Sequence, residues 1–257
     1  MILRRGSHGD AVFAVTSQLA GLGYMSAAHT EYDAATVRAV RAFQSQHLDP
    51  RGAPLVPDGI VGPLTLFALD AATGKRPDAV PSRPTLLDPA GIAAGSGAVA
   101  RAALGIALAE YRRGAGETGG NNRGPDIRRY LDGRAPEGSD WCAGFVSYCF
   151  RAGAEASGRS MPFSYSVGAR DIRNQLRNRG FEYKASHAAP PQPGDIVTWW
   201  RGSQAGWQGH IGLVHSCVDG VLRTIEGNRG AFPSKVGSFT YVLGRMERLL
   251  GFSRVPA

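Results

Sequence analysis

The sequence predicts an α+β protein in two parts: a three-helix bundle, then helices packed on an antiparallel β-sheet. Three observations predict it. The first seventy residues carry apolar side chains at helical spacing only. A proline- and glycine-rich stretch follows. The remainder begins with helix-like segments and then changes to short β-type runs separated by turn residues, an order that suits helices stacked on an antiparallel sheet. The expected boundaries are 1–70 for the bundle, 71–97 for a linker and 98–257 for the mixed part.

In the first part, Asp10 is expected to cap a helix with Val12, Val15 and Leu19 on one face, ending at Gly21-Leu-Gly23. Asp33 is expected to cap a second helix bearing Val37, Val40 and Phe43. Pro63 suits the first turn of a third helix carrying Leu66 and Leu69. Pro77, Pro81, Pro84 and Pro89 deny the linker a regular helix. In the second part, "AVARAALGIALAEYRR" reads as a helix and Pro125 opens a short one. "SDWCAGFVSYCFRAG" reads as a third, and Ser166 is the expected cap of a fourth. "DIVTWW", "HIGLVHSCV" and "VLRTIEG" read as strands, with Asp219-Gly220 as a hairpin turn.

Composition narrows the function. The chain has 257 residues, 43% hydrophobic and 19% charged, which describes a globular protein. No apolar run approaches the ~20 residues of a membrane helix, so membrane insertion is not expected. The net charge of +8 favours a polyanionic partner, either nucleic acid or an anionic cell envelope. No helix or strand concentrates a basic face with a nucleic-acid reading motif, which argues against the first. "MILRRGSHGDAV" lacks the apolar core and cleavage site of a secretory signal. Synthesis in the cytoplasm is expected, with release by lysis or a dedicated secretion machine.

Two of the three cysteines lie in "SDWCAGFVSYCF". On one helix Cys142 and Cys149 would stand about 10 Å apart, too far for a disulfide. With Ser139 or Asp140 as N-cap, Cys142 falls in the first turn, where the helix end favours a thiolate and backbone N–H groups can hold an oxyanion. Cys149 falls deep on the apolar face and is expected to pack. A thiol nucleophile needs a base, and His210 in "WQGHIGLVHS" opens a strand after glycines. The base needs an orienter, and "TIEGN" offers Glu226 and Asn228 across the hairpin. Cys, His and an acid or amide form the constellation of papain-like acyl transfer. Glu226 is preferred as the third member, with Asn228 in support.

His215 and Cys217 are expected on the opposite strand face from His210, as packing. With no paired CxxC beside them, a zinc site is not expected. Trp199 and Trp200 flank the expected cleft. Trp207 either lines a sugar or peptide groove or packs as a loop aromatic. Asp195 is expected to stabilise a turn before its strand.

Two resemblances bear on these residues. "LRRGSHGDAVFAVTSQLAGLGY", "EYDAATVRAVRAFQSQHL" and "PDGIVGPLTLFAL" together resemble the three-helix peptidoglycan-binding domain, over residues 3–69. Thr16 stands where that family often has Gln. "GETGGNNRGPDIRRYL", "SDWCAGFVSYCF", "PQPGDIVTWW", "GHIGLV" and "IEGN", in this order, resemble the CHAP family of cysteine, histidine-dependent amidohydrolases and peptidases, over residues 99–252. The resemblance implies a papain-like fold, Cys142 as nucleophile, His210 as base, and Glu226 with Asn228 as polar partners. Glu117, Asn121 and Asn122 are expected substrate contacts. The calcium loop of some phage members has no counterpart, so neither a metal nor a cofactor is expected. The expected function is an endolysin-like peptidoglycan hydrolase, amidase or endopeptidase, acting as a monomer. The alternatives are a secreted antibacterial effector amidase and a non-catalytic wall-binding or virion protein.

Overall fold

A computed structural model describes residues 1–44, 46–50, 55–75, 96–186, 188–230 and 232–256. The amino-terminal part contains α1 (Asp10–Gly21), α2 (Ala34–Gln44) and α3 (Pro63–Ala72). The remainder contains α4 (Ala98–Arg112), α5 (Pro125–Leu131), α6 (Cys142–Ala156) and α7 (Ala169–Asn178). Six strands follow: β1 (Glu182–Tyr183), β2 (Ile196–Trp200), β3 (Gly209–Val218), β4 (Val221–Glu226), β5 (Gly237–Val242) and β6 (Leu249–Ser253). They form one sheet in the order β1-β6-β2-β3-β4-β5, with antiparallel neighbours throughout. The fold is α+β. Most of the expected linker, with its four prolines, lies outside the described residues; the helices on either side end at Ala72 and begin at Ala98.

The sheet is apolar on both faces because alternate residues of its strands face opposite ways. Ile196, Ile211, Leu213 and Ile225 turn to the face covered by α4, α5, α6 and α7, in a core with Leu104, Ile127, Phe145 and Ile172. Val197, Trp199, Val214, Leu222 and Phe239 turn the other way. They join a cluster that continues into Val12, Leu19, Val40 and Phe43 of the helical bundle. Gly230 is where the two parts meet closely: a Cβ there would stand 3.2 Å from the Cβ of Ala42 on α2.

The helix caps follow the expected residues in part. Asp33 caps α2, its Oδ1 accepting the Thr36 N–H at 2.7 Å. Asp10 instead begins α1 and Gly9 caps it, with φ of 98° and a carbonyl that accepts from Val12 and Phe13. Neither Ser139 nor Asp140 caps α6. Trp141 holds that position, and its indole is needed in the core. Gly168, not Ser166, precedes α7. Asp219 and Gly220 both take positive φ, 50° and 73°, and turn β3 into β4 as a primed hairpin turn requires. A bulge between Val214 and Ser216 shifts the register and puts Cys217 opposite Leu222. One extra residue reverses the alternation, so Cys217 packs on the same cluster as Leu222, the face that His210 shares, contrary to expectation.

Candidate active site

Cys142 is the first residue of α6 and is 3% exposed. The backbone N–H groups of Ala143, at the open end of its own helix, and of Ile211, the residue after His210, lie close enough to the sulfur to favour its charged form. These contacts set the thiol beside the start of β3. Burial pushes the thiol above its ordinary pKa, and the opposing pull of Arg201 does not cancel it. The resting group is therefore a thiol, not the thiolate expected from the helix end alone: loss of water outweighs the dipole here. Cys149, two turns along in the core, is pushed up further by burial.

His210 is buried at the second position of β3. Its Nε2 lies 2.7 Å from Glu226 Oε2, and its Nδ1 lies 2.9 Å from an Arg201 guanidinium nitrogen. A guanidinium only donates, so Nδ1 accepts and the ring proton resides on Nε2, which donates to Glu226. Burial first, and then the charge of Arg201, lower the His210 pKa to about 4 despite the carboxylate beside it. The ring is neutral.

Glu226 ends β4 with no exposed surface. Burial alone would raise its pKa. Arg229 and the His210 and Thr224 hydrogen bonds outweigh that and hold it at about 2. Oε1 accepts from the Thr224 hydroxyl and, at 2.7 Å, from the Tyr241 hydroxyl. Arg229 approaches Oε2 at 3.4 Å and lies over the rings of Trp199, Phe239 and Tyr241. A buried carboxylate surrounded by donors in this way stays charged.

The strand register explains how the pair meets. Leu213 faces Ile225, which brings Glu226 alongside Gly212 and not directly opposite His210. Gly212 leaves the room that the glutamate needs to lean toward the histidine: a Cβ on Gly212 would lie 2.5 Å from Glu226 Cγ. Gly227 packs against the Trp141 ring, where a Cβ would come within 2.4 Å of it. The end of β4 is thereby seated on the start of α6.

The other expected site residues fall into three groups. Asn228 is turned away from His210. Its side-chain amide donates to Asp140 Oδ1 at 3.0 Å, and its backbone carbonyl accepts from Arg201 at 3.4 Å. Asn121 and Asn122 line a cavity of about 470 Å³ together with His210, Asp140 and Trp199. The Asn122 Oδ1 is buried with no hydrogen-bond partner among the described residues. Glu117 and Trp207 are not in that lining. Glu117 is buried behind Trp141, accepting the indole N–H at 3.1 Å and the Ser234 N–H at 2.9 Å, so it braces the start of α6 and has no free face for substrate. Trp207 is 83% exposed on the loop before β3.

Sequence reasoning missed Arg201, Arg229, Thr224 and Tyr241. Arg201 directly follows "DIVTWW" and Arg229 directly follows "IEGN", and cations at strand ends read as solvated. Asp195, expected to stabilise a turn, does more: it accepts from Gln192, Tyr183 and Arg254. Among the described residues, no group of three or more His, Cys, Asp or Glu side chains is arranged to hold a metal.

Residues 134–228 match the family model described as CHAP domain. Residues 8–69 match the one described as "Putative peptidoglycan binding domain". No curated protein matches the chain, and no solved structure does. Cys142, His210 and Glu226 lie within the first match, and the second covers α1, α2 and most of α3: the chain carries a CHAP domain preceded by a peptidoglycan-binding domain, which supports a peptidoglycan hydrolase in general.

Proposed function

We propose that this protein cuts an amide bond of bacterial peptidoglycan by thiol catalysis, with Cys142 as nucleophile, His210 as general base and acid, and Glu226 as the group that orients the imidazole. The observation that carries the reading is the 2.7 Å contact between His210 Nε2 and Glu226, which holds the ring proton on Nε2 and makes Nδ1 the basic nitrogen. The wall-binding bundle beside a lytic domain supports an endolysin-like role.

The chemistry follows from the protonation states. His210 Nδ1 takes the Cys142 proton as the sulfur attacks the substrate carbonyl, and Glu226 stabilises the imidazolium that forms. The backbone N–H groups of the first turn of α6 point toward the developing oxyanion. The tetrahedral intermediate collapses, His210 gives its proton to the leaving amine, and a thioester remains on Cys142. Water, deprotonated by His210, then attacks the thioester and releases the acid and the thiol. Arg201 now occupies the Nδ1 lone pair, so it has to turn aside before the first proton transfer; Asp140, 3.9 Å from its other nitrogen, lies on that side.

Mass spectrometry of fragments released from purified peptidoglycan tests the reading. New amine ends are expected, and the fragment masses distinguish a cut between lactyl group and stem peptide from a cut within the peptide. Wall binding with no fragment released would favour the non-catalytic alternative.

A further inference from the structure

The cavity at His210 is built by both parts of the chain. Its lining includes six arginines: Arg201, Arg229, Arg245 and Arg248 from the catalytic part, and Arg38 and Arg41 from α2 of the bundle. Only two carboxylates, Asp140 and Glu247, line it with them. Arg229 is already committed to Glu226, and Arg201 lies near Asp140. Among the described residues, Arg38, Arg245 and Arg248 make no ion pair. Arg41 is held by the Asp58 carbonyl at 3.1 Å. Its charged form is disfavoured first by burial and then by the nearby charge of Arg248. Cations gathered in a partly desolvated cleft repel one another, and a bound anion relieves that repulsion.

We propose that the wall-binding bundle forms one side of the catalytic cleft, and that the cleft selects a peptide bearing free carboxylates, which Arg38 engages from the bundle and Arg245 and Arg248 engage from the opposite side. This rests on the amide-cleaving reading of the site. The planar fork of arginine suits carboxylate and phosphate alike. The chemistry of the site chooses between them: an amide next to Cys142 belongs to the peptide of the wall, and the anionic groups of that peptide are carboxylates. The same anion explains how Arg201 leaves His210, because a substrate carboxylate in the cleft competes for its guanidinium. The bundle is then more than an anchor.

The test uses the full chain and a soluble muropeptide isolated from wall that the wild type cuts, before and after conversion of its carboxyl groups to primary amides. A soluble fragment has no need of a tether, so a bundle that only anchors contributes nothing to its cleavage. The expected result is a kcat/KM about tenfold higher for the acid form. Arg38→Ala, at an exposed position, should raise KM several-fold for the acid form, leave kcat in place and leave the amidated form unaffected. Arg38→Lys should restore most of the loss. Equal cleavage of both forms by the wild type, or no effect of Arg38→Ala on the acid form, overturns the proposal while leaving the hydrolase reading intact. If intact wall is not cut at all, both fall together.

Discussion

Asp195 and Glu226 are two carboxylates of one sheet, each with no exposed surface, and they have different uses. Asp195 precedes β2. It accepts from the Tyr183 hydroxyl, from the Gln192 N–H at 2.8 Å and from Arg254 at 2.8 Å, while Arg254 also reaches the Pro190 carbonyl. That network closes on itself and ties β1 and the chain's end to β2. Glu226 ends β4 and is just as fully surrounded, but one of its donors is an imidazole. The other nitrogen of that ring accepts from Arg201, and the residue lines a cavity. Burying a carboxylate demands donors in both places. What separates a strut from a proposed catalytic group is the identity of a single donor.

The largest difference between the two should appear on substitution. Glu226→Gln keeps the shape and removes the charge, so the fold should survive while kcat falls about 10²–10⁴-fold. Asp195→Ala should do the reverse. It strands Arg254 and the Tyr183 hydroxyl and should cost about 3–5 kcal/mol of stability, with kcat per folded molecule retained. Denaturant melts and rates for both variants check this, and a crossed result, with Asp195 controlling rate and Glu226 stability, would break the comparison.

A smaller effect is expected at Gly212. An added methyl meets Glu226 Cγ at 2.5 Å, and the carboxylate is held too firmly to yield. Gly212→Ala should cost about 1–3 kcal/mol by overpacking and lower kcat as Glu226 is pushed from His210. Equal rates with a lowered melting point would mean that the packing between β3 and β4 and not the histidine contact is disturbed.

The pH dependence is subtler. His210 has its pKa lowered from 6.5 to about 4 in the folded state. Between those values the unfolded chain binds a proton that the native chain refuses, so stability falls as pH drops through that window. Glu226, lowered from 4.5 to about 2, adds a second loss below pH 4.5, continuing to about 2. For catalysis the neutral ring is the active form, so the acid limb of kcat/KM should lie well below 6.5. Arg201→Ala removes one of the groups that lower the His210 pKa and should move that limb upward.

Much of this architecture is legible in the sequence because local chemistry sets it. Pro63 and Pro125 start helices, Asp33 caps α2, and Asp219-Gly220 supplies the two left-handed residues of a hairpin turn. His210 and Glu226 are recognisable as residue types at strand ends. The illegible part is set by contacts distant in the chain. The bulge after Val214 carries no residue signature, yet it moves Cys217 to the other face. Glu117 is expected from the sequence to touch substrate, and only the fold reveals that it braces Trp141 instead. Arg201 reads as a solvated charge, and its hold on His210 Nδ1 exists only because β2 and β3 pair there.

The most direct test of the central claim compares the two cysteines of α6, one at its open end and one in the core. Amine release from purified peptidoglycan is measured for wild type, Cys142→Ala and Cys149→Ala at equal folded concentration. Cys142→Ala should release no more than buffer does, while Cys149→Ala should lose some stability and keep its rate. Release by Cys142→Ala at the wild-type rate would place the nucleophile elsewhere and rule out thiol catalysis by Cys142.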